Sequence, residues 1–372
     1  MTLAASFLSM VSLPLPLLTG AAIIGVLVDR WLGEPKRAHP LVGFGKWAMW
    51  LEHRLNHRAR WLGVLAWALG VLPFVGLTLL LLAVLPLWLQ LVLHVALLWF
   101  ALGSQSLESH IAPIGAALAM GDIEQARHLA ARVVSRDLSD ADETAIAKAA
   151  VESALENGND AVFGALFWFL IGGGPAALAF RLINTLDAMW GYRTPRLLSF
   201  GWAAARIDDL ANWIPARLTA ASYLLLGKSQ GSRTSVQAWR CWREQAPLWD
   251  SPNAGPVMAS GAGSLGVLLG GGARYHGVEE QRPLLGCGAA PVAADVARAL
   301  RLVRATLYLW LAVAVLLSLI MSVTMVAMQH HGIPLSLALL GDLPEGLADW
   351  IAERIPEWLR HGLVQGGAHG IA

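Results

Sequence analysis

Apolar residues in this chain come in long uninterrupted blocks rather than at amphipathic spacing. Residues 61–107 contain no Asp, Glu, Lys or Arg, and His94 is the one titratable side chain among them. A membrane-crossing helix needs about 20 apolar residues, so this block is long enough for two. Pro86 divides it into spans over 61–85 and 87–103, a hairpin whose two outer ends lie on the same side. A third uncharged block, Ala305–Met328, runs up to His330-His331. A fourth, 11–28, ends at Asp29-Arg30. No Lys or Arg precedes it and no small-residue cleavage pattern follows, so it reads as a retained span rather than a secretory signal.

Three further segments are open to more than one reading. Residues 161–180 are uncharged but interrupted by Gly172-Gly173-Gly174-Pro175; 210–227 contain Pro215 and Arg217; 254–273 are uncharged and glycine-rich. Each reads as a span, a re-entrant segment or a broken helix. Irregular backbone at membrane depth persists only where protein or a wet cavity covers it. The stretch 335–363 alternates apolar residues with Glu345, Asp349, Glu353, Arg354, Glu357 and Arg360, the pattern of a surface-lying amphipathic helix interrupted at Pro356. Strand-like alternation is scarce. The expected fold is all-α: a polytopic membrane helical bundle, in one domain over 1–372, with broken or re-entrant segments and helical loops.

Composition agrees with this pattern. Charged residues are 14% and hydrophobic residues 56% of the 372, against about 25% charged in soluble domains. The net charge of +1 leaves no field to recruit nucleic acid. Seventeen Trp against four Tyr fit interfacial anchoring in lipid. Segment 31–60 holds six Lys and Arg against Glu34 and Glu52, which predicts a cytoplasmic loop. The hairpin then returns the chain to the cytoplasm near 104, where the polar stretch 104–160 follows. Cys241 and Cys287 have no metal or redox spacing.

Several motif matches fail. Gly227-Lys228-Ser229 lacks the first glycine of a phosphate loop, since Ser222 stands there. Gly261-Ala262-Gly263-Ser264-Leu265-Gly266 fits a dinucleotide pattern but has no strand before it, and reads as close helix packing by small residues.

Scarce polar residues cluster instead in short blocks. Asp140 and Glu143 fit a capping box. In the helix that follows, Glu152 and Glu156 lie one turn apart, Asn157 is adjacent, Gly158 is a natural helix stop, and Asp160 comes next. Acids at a helix C-terminus oppose its dipole and call for a cation. Asn184 and Asp187 share a helical face. Asp208 and Asp209 both lie within reach of Asn212, and Arg206 neighbours Asp209. Adjacent carboxylates of this kind suit Mg²⁺ with substrate phosphate. The loop at Asn253 is suited to capping a helix or binding a ligand.

Taken together, these blocks resemble one family. Asp29-Arg30, Gly33-Glu34-Pro35 and His39-Pro40 come first, then Val151-Glu152-Ser153, Glu156-Asn157 and Asp160. Asn184-Thr185-Leu186-Asp187-Ala188-Met189 and Gly191-Tyr192-Arg193 follow. Ala205-Arg206-Ile207-Asp208-Asp209, Asn212, Ile214-Pro215-Ala216-Arg217 and Pro252-Asn253-Ala254-Gly255 complete the set. In this order, within residues 29–277, they resemble the adenosylcobinamide-phosphate synthase family of cobalamin biosynthesis, the CobD/CbiB family. The chain departs from that pattern in places. Gly158-Asn159 stands where the family has Thr-Ser, Ala161 where it has Gly, Ala165 replaces a Pro, and Ala188 replaces a Ser. The charged and amide positions are kept.

The resemblance implies an integral inner-membrane enzyme with its active site facing the cytoplasm. The implied reaction is ATP-dependent amide ligation of adenosylcobyric acid with (R)-1-aminopropan-2-ol O-phosphate, giving adenosylcobinamide phosphate. Membrane lipid and other nucleotide-loop assembly enzymes are its implied partners. Such chemistry needs Mg²⁺ ligands, cations for phosphate and a base for the amine. Glu156, Asp187, Asp208 and Asp209 are the catalytic candidates, and Asp160, Asp187, Asp208 and Asp209 the candidate Mg²⁺ ligands. Arg136, Arg206 and Arg217 are candidates for phosphate. Asn157, Asn184, Asn212 and Asn253 suit corrin amides, and His39 joins the substrate-binding set. Shared access for these blocks requires 161–180 to be re-entrant or the site to lie inside the bundle. A transporter and a non-catalytic membrane sensor of the AmpE type are the competing readings. The lack of an inverted repeat argues against the first, and retention of the acidic blocks against the second.

Overall fold

Helices form wherever the apolar blocks run long. The computed structural model describes residues 13–34, 40–134, 136–227, 234–275 and 278–330; the expected tail helix 335–363 and His39 lie outside them. Helices α1 (Leu15–Leu32), α2 (Pro40–Leu55), α3 (Arg60–Val84), α4 (Leu87–Ala101), α5 (Ser104–Ala119) and α6 (Ile123–Ala130) come first. They are followed by α7 (Glu143–Gly158), α8 (Gly164–Trp190), α9 (Trp202–Leu226), α10 (Thr234–Gln245), α11 (Ala254–Leu265) and α12 (Ala293–His330). Among the described residues, five helical stretches are long and apolar enough to cross a membrane: Leu15–Leu32, Arg60–Val84, Leu87–Ala119, Glu143–Trp190 and Ala293–Val326. The protein is thus an all-α polytopic membrane protein. The chain divides into two units, 1–315 and 316–372. Within the second, the described residues are the closing turns of α12.

Local chemistry shifts several boundaries. Asp29 and Arg30 do not end α1. Asp29 accepts a hydrogen bond from the Gln105 N–H at 3.0 Å, and Arg30 pairs with Glu108 at 2.9 Å, so both charges are spent on α5. Pro86 begins α4 as its N-cap residue. The α7 cap is Asp142, which accepts from the Ala145 N–H at 2.7 Å; Asp140 instead pairs with Arg274. Gly158 does not stop the helix. A side chain there would meet the Tyr223 hydroxyl, and the chain continues through a π-helical turn, Asn159–Phe163, into α8. The dipole argument for a cation at 156–160 therefore falls, because no helix ends there.

Helix α8 is broken in its middle. Gly172 (φ −131°, ψ 18°) and Gly173 (φ 65°, ψ −156°) leave helical geometry. Gly173 needs a conformation that side-chain-bearing residues avoid. Its Cα faces His94 of α4, and the His94 Nδ1 accepts the Gly174 N–H at 2.8 Å.

Segment 254–273 is split between a helix and a strand. Helix α11 is buried along its length and ends at left-handed Gly266. The chain then forms an antiparallel hairpin, β1 (Leu268–Tyr275) with β2 (Val278–Gly286), which the sparse alternation did not foretell. Its register is irregular between Gly270 and Gly271, both at positive φ. That irregularity turns the Gly270 N–H to Glu152 at 2.8 Å and its carbonyl to Lys148 at 3.1 Å, docking the hairpin on α7.

Within residues 1–315, α4 packs on α8, α8 on α9, and α9 on α11. The main core follows α1, α4, α5, α7, the first half of α8 and α11. A second core joins α2 and α3 to the second half of α8 and residues 197–204. The polar blocks lie where α7, the π turn, α8, α9 and the start of α11 meet.

Candidate active site

The π turn sets the site. Its wider winding places Glu156, Asn159 and Asp160 on one wall of a cavity of about 270 Å³. Helix α8 adds Asn184 and Asp187, α9 adds Asp208, Asp209 and Asn212, and the start of α11 adds Asn253. π-helical turns recur at functional sites because they re-aim side chains without ending the helix.

A buried hydrogen-bond chain holds these groups. The Thr219 hydroxyl donates to Asn159 Oδ1 at 3.0 Å. Asn159 Nδ2 donates to Asp160 Oδ1 and to Asn212 Oδ1, each at 2.9 Å. Asn212 Nδ2 donates to Asp208 Oδ2 at 3.1 Å, and Asn184 Nδ2 to Asp208 Oδ1 at 3.4 Å. Asn159, Asn212 and Thr219 are buried, so their amides and hydroxyl are committed to aiming Asp160 and Asp208. Glu156 and Asp187 accept no hydrogen bond from the described residues, leaving their carboxylates for a ligand.

Five carboxylates face one lining cation, Arg193, in this cavity. Burial, and then the negative charges of Asp160 and Asp187, push the Asp208 carboxyl well above the usual carboxylate range, against the pull of Asn212 and Asn184. Burial also raises Asp209, with Arg206 and Arg193 opposing. A cavity that resists its own ionisation is one that a cation completes.

The donors lining the cavity are hard oxygens of carboxylates and amides. Mg²⁺ takes such ligands, binding through one or two carboxylates plus substrate phosphate and water rather than in an all-protein cage. Among the described residues no group of three His, Cys, Asp or Glu forms such a cage.

Glu156, Asp160, Asp187, Asp208, Asp209, Asn184, Asn212 and Asn253 all line this cavity. Arg217 borders it, donating to Asn253 Oδ1 at 3.1 Å and lying 4.3 Å over the Trp213 ring. Asn253 in turn donates to the Asp209 carbonyl at 2.8 Å, tying α11 to α9. Arg206 stands on the exposed side, paired with Asp209 at 3.3 Å. Arg136 and Asn157 face a neighbouring cavity, also about 270 Å³, which shares Glu156 with the first and adds Glu152, Trp249 and Arg282. Sequence reasoning quoted Arg193 and Asn159 within the family blocks without giving them a role, and missed Arg282. Asn159 is three residues beyond Glu156, a same-face signal hidden by reading Gly158 as a stop.

Comparison with known proteins places the chain. The family model described as CobD/Cbib protein matches residues 22–303. A protein of Chromobacterium violaceum named "Cobalamin biosynthesis protein CobD" is 53% identical over 300 residues, covering 78% of this chain and 94% of the relative. One of the same name from Stutzerimonas stutzeri is 55% identical over 301 residues, covering 78% and 95%. Another, from Mycobacterium tuberculosis, is 42% identical over 287 residues, covering 76% and 90%. No solved structure matches. With the match running through every element of the acidic cavity, the chain belongs to the CobD/CbiB protein family, whose curated relatives carry the name cobalamin biosynthesis protein.

Proposed function

We propose that this protein acts in cobalamin biosynthesis as an amide-forming ligase. It joins the carboxylate of adenosylcobyric acid to the amine of (R)-1-aminopropan-2-ol O-phosphate, with ATP converted to ADP and phosphate. The observation that carries the reading is the convergence of five carboxylates and four amides from five segments on one cavity.

A carboxylate does not condense with an ammonium in water, so the acid needs activation. Transfer of the ATP γ-phosphoryl group to the corrinoid carboxylate gives an acyl phosphate and ADP. The ammonium then yields a proton to a carboxylate, a role we give to Glu156 because it accepts no hydrogen bond from the described residues. The neutral nitrogen attacks the acyl carbon. As the C–N bond forms, the C–O bond to phosphate breaks, and phosphate leaves with the electron pair and the second nitrogen proton. One or two of Asp160, Asp187, Asp208 and Asp209 would hold Mg²⁺ together with nucleotide phosphate, whose charge the ion would neutralise when bound. Asn184 would bind corrin amides at the cavity wall, Asn253 would hold Arg217 and α9 at its edge, and Asn159 and Asn212 keep the carboxylates aimed. The cavity serves the cytoplasmic side of the inner membrane, where ATP is available.

The test is mass detection of adenosylcobinamide phosphate from the protein purified in detergent, with ATP present and absent. Product that depends on ATP is expected. Absence of product, or product formed equally without ATP, defeats the ligase reading. Full activity of an Asp208→Asn variant at saturating Mg²⁺–ATP removes that residue from the metal-holding role.

A further inference from the structure

The cavity beside the acidic one pairs its carboxylates with arginines. Glu152, 2% exposed, receives Arg136, Arg282 Nη1 at 3.0 Å, Arg282 Nη2 at 3.5 Å and the Gly270 N–H at 2.8 Å. Both arginine side chains are nearly buried, 12% and 13% exposed, and both line the cavity. Arg282 also lies 5.4 Å over the Trp249 ring and donates from Nε to the Gly271 carbonyl at 3.3 Å. That commits three of the five N–H donors a guanidinium carries and leaves one on each terminal nitrogen. Two arginines and two glutamates, Glu152 and Glu156, line this small cavity, a balance that suits a ligand carrying both an anionic and a cationic end.

A purely structural Arg–Glu–Arg triad would tie the hairpin to α7 and do nothing more. Such triads are costly to bury, and this one faces a cavity rather than packed apolar side chains. One turn along α7 from Glu152 stands Glu156, which also lines the acidic cavity. The arginines and a carboxylate shared with the acidic site therefore line one cavity.

We infer that this second cavity is the seat of the amine substrate: a phosphate monoester held by Arg136 and Arg282, with its ammonium end at Glu156. The assignment rests on the ligase reading and gives it a direction. Two carbons and one oxygen separate nitrogen from phosphorus in such an amino-alcohol phosphate. Fixing the phosphate on the arginines thus presents nitrogen at the opening toward the acyl group. Glu152 is a positioning residue, holding both guanidiniums at the cavity wall. An amino alcohol without phosphate meets only Glu156 and is bound weakly.

Binding measured without turnover tests this. Isothermal titration of the detergent-purified protein compares (R)-1-aminopropan-2-ol O-phosphate with 1-aminopropan-2-ol. The phosphorylated amine is expected to bind about 10- to 100-fold tighter, the range of charge-assisted contacts to one anion. Arg282→Lys, which keeps the charge and loses the fork, should erase most of that difference and leave the unphosphorylated amine and ATP unaffected. Arg136→Lys should act in the same way. Equal affinity of the wild type for both amines overturns the assignment. So does a lowered melting temperature in Arg282→Lys with discrimination intact, the mark of a structural triad, or loss of ATP binding instead. Failure of the ligase reading shows separately, as missing amide product from a protein that still discriminates between the amines.

Discussion

Asn212 is the residue on which the geometry of the acidic cavity turns, and replacing it with Ala tests the whole hydrogen-bond chain. The side chain is 1% exposed. It donates to Asp208 at 3.1 Å and accepts from Asn159 at 2.9 Å. A hydrogen bond to a charged group contributes about 1.5–3 kcal/mol and a neutral one about 0.5–1.5 kcal/mol. Losing both while their partners stay buried predicts a destabilisation of about 2–4 kcal/mol. Thr219→Val, nearly isosteric, removes one neutral bond to Asn159 and should cost about 0.5–1.5 kcal/mol. Because Asn159 links the two sites, the double variant should lose less than the singles added together, with a coupling of about 0.5 kcal/mol or more. Unfolding in detergent, followed by fluorescence of the tryptophans, measures all three. Mg²⁺ should stabilise the wild type and do so much less in Asn212→Ala, since Asp208 is no longer aimed. If Asn212→Ala unfolds within about 0.5 kcal/mol of the wild type, the size of an ordinary surface change, and keeps its full Mg²⁺ response, the chain does not organise the site.

Two further outcomes follow from the same geometry. Asp208 has its native-state value raised above the ordinary carboxylate value, so between those two values the folded protein binds a proton that the unfolded chain has lost. Stability without metal should therefore fall as pH rises through that window, while Mg²⁺ affinity rises; thermal melts with and without Mg²⁺ show this, and an unchanged slope in Asp208→Asn would refute it. Gly173→Ala places a methyl group 2.4 Å from His94 Cε1 at a backbone angle of φ 65°. It should cost at least about 1–3 kcal/mol, and a wild-type melting temperature for this variant would show that the break relaxes freely.

How much was legible depended on the distance over which each feature is encoded. Asp187, Asp208 and Asp209 stand out because acids beside apolar blocks have no packing reason to be there. Their gathering with Asp160 is equally foreshadowed by the family blocks. Asn159 was hidden by one local rule: Gly158 reads as a helix stop, yet its missing side chain makes room for the Tyr223 hydroxyl. Arg282 was hidden by distance. It meets Glu152 across 130 positions, through a hairpin whose strand β1 contains Gly270, Gly271 and Gly272 and so shows little strand character. The boundary of α1 moved for a similar reason. Asp29 and Arg30 look like terminators until Gln105 and Glu108 appear as their partners on α5.

The break in α8 also bears on how the protein is made. A helix interrupted at Gly172 and Gly173 would carry an unbonded Gly174 N–H into lipid, at a cost of several kcal/mol. His94 removes that cost by accepting the bond. The acceptor lies 80 positions earlier in the chain, so it is synthesised before the break it serves. Chain order thus supplies the chaperoning group ahead of the defect it mends. Moving α4 behind α8 by circular permutation would keep every contact of the finished protein yet strand the second half of α8 during insertion.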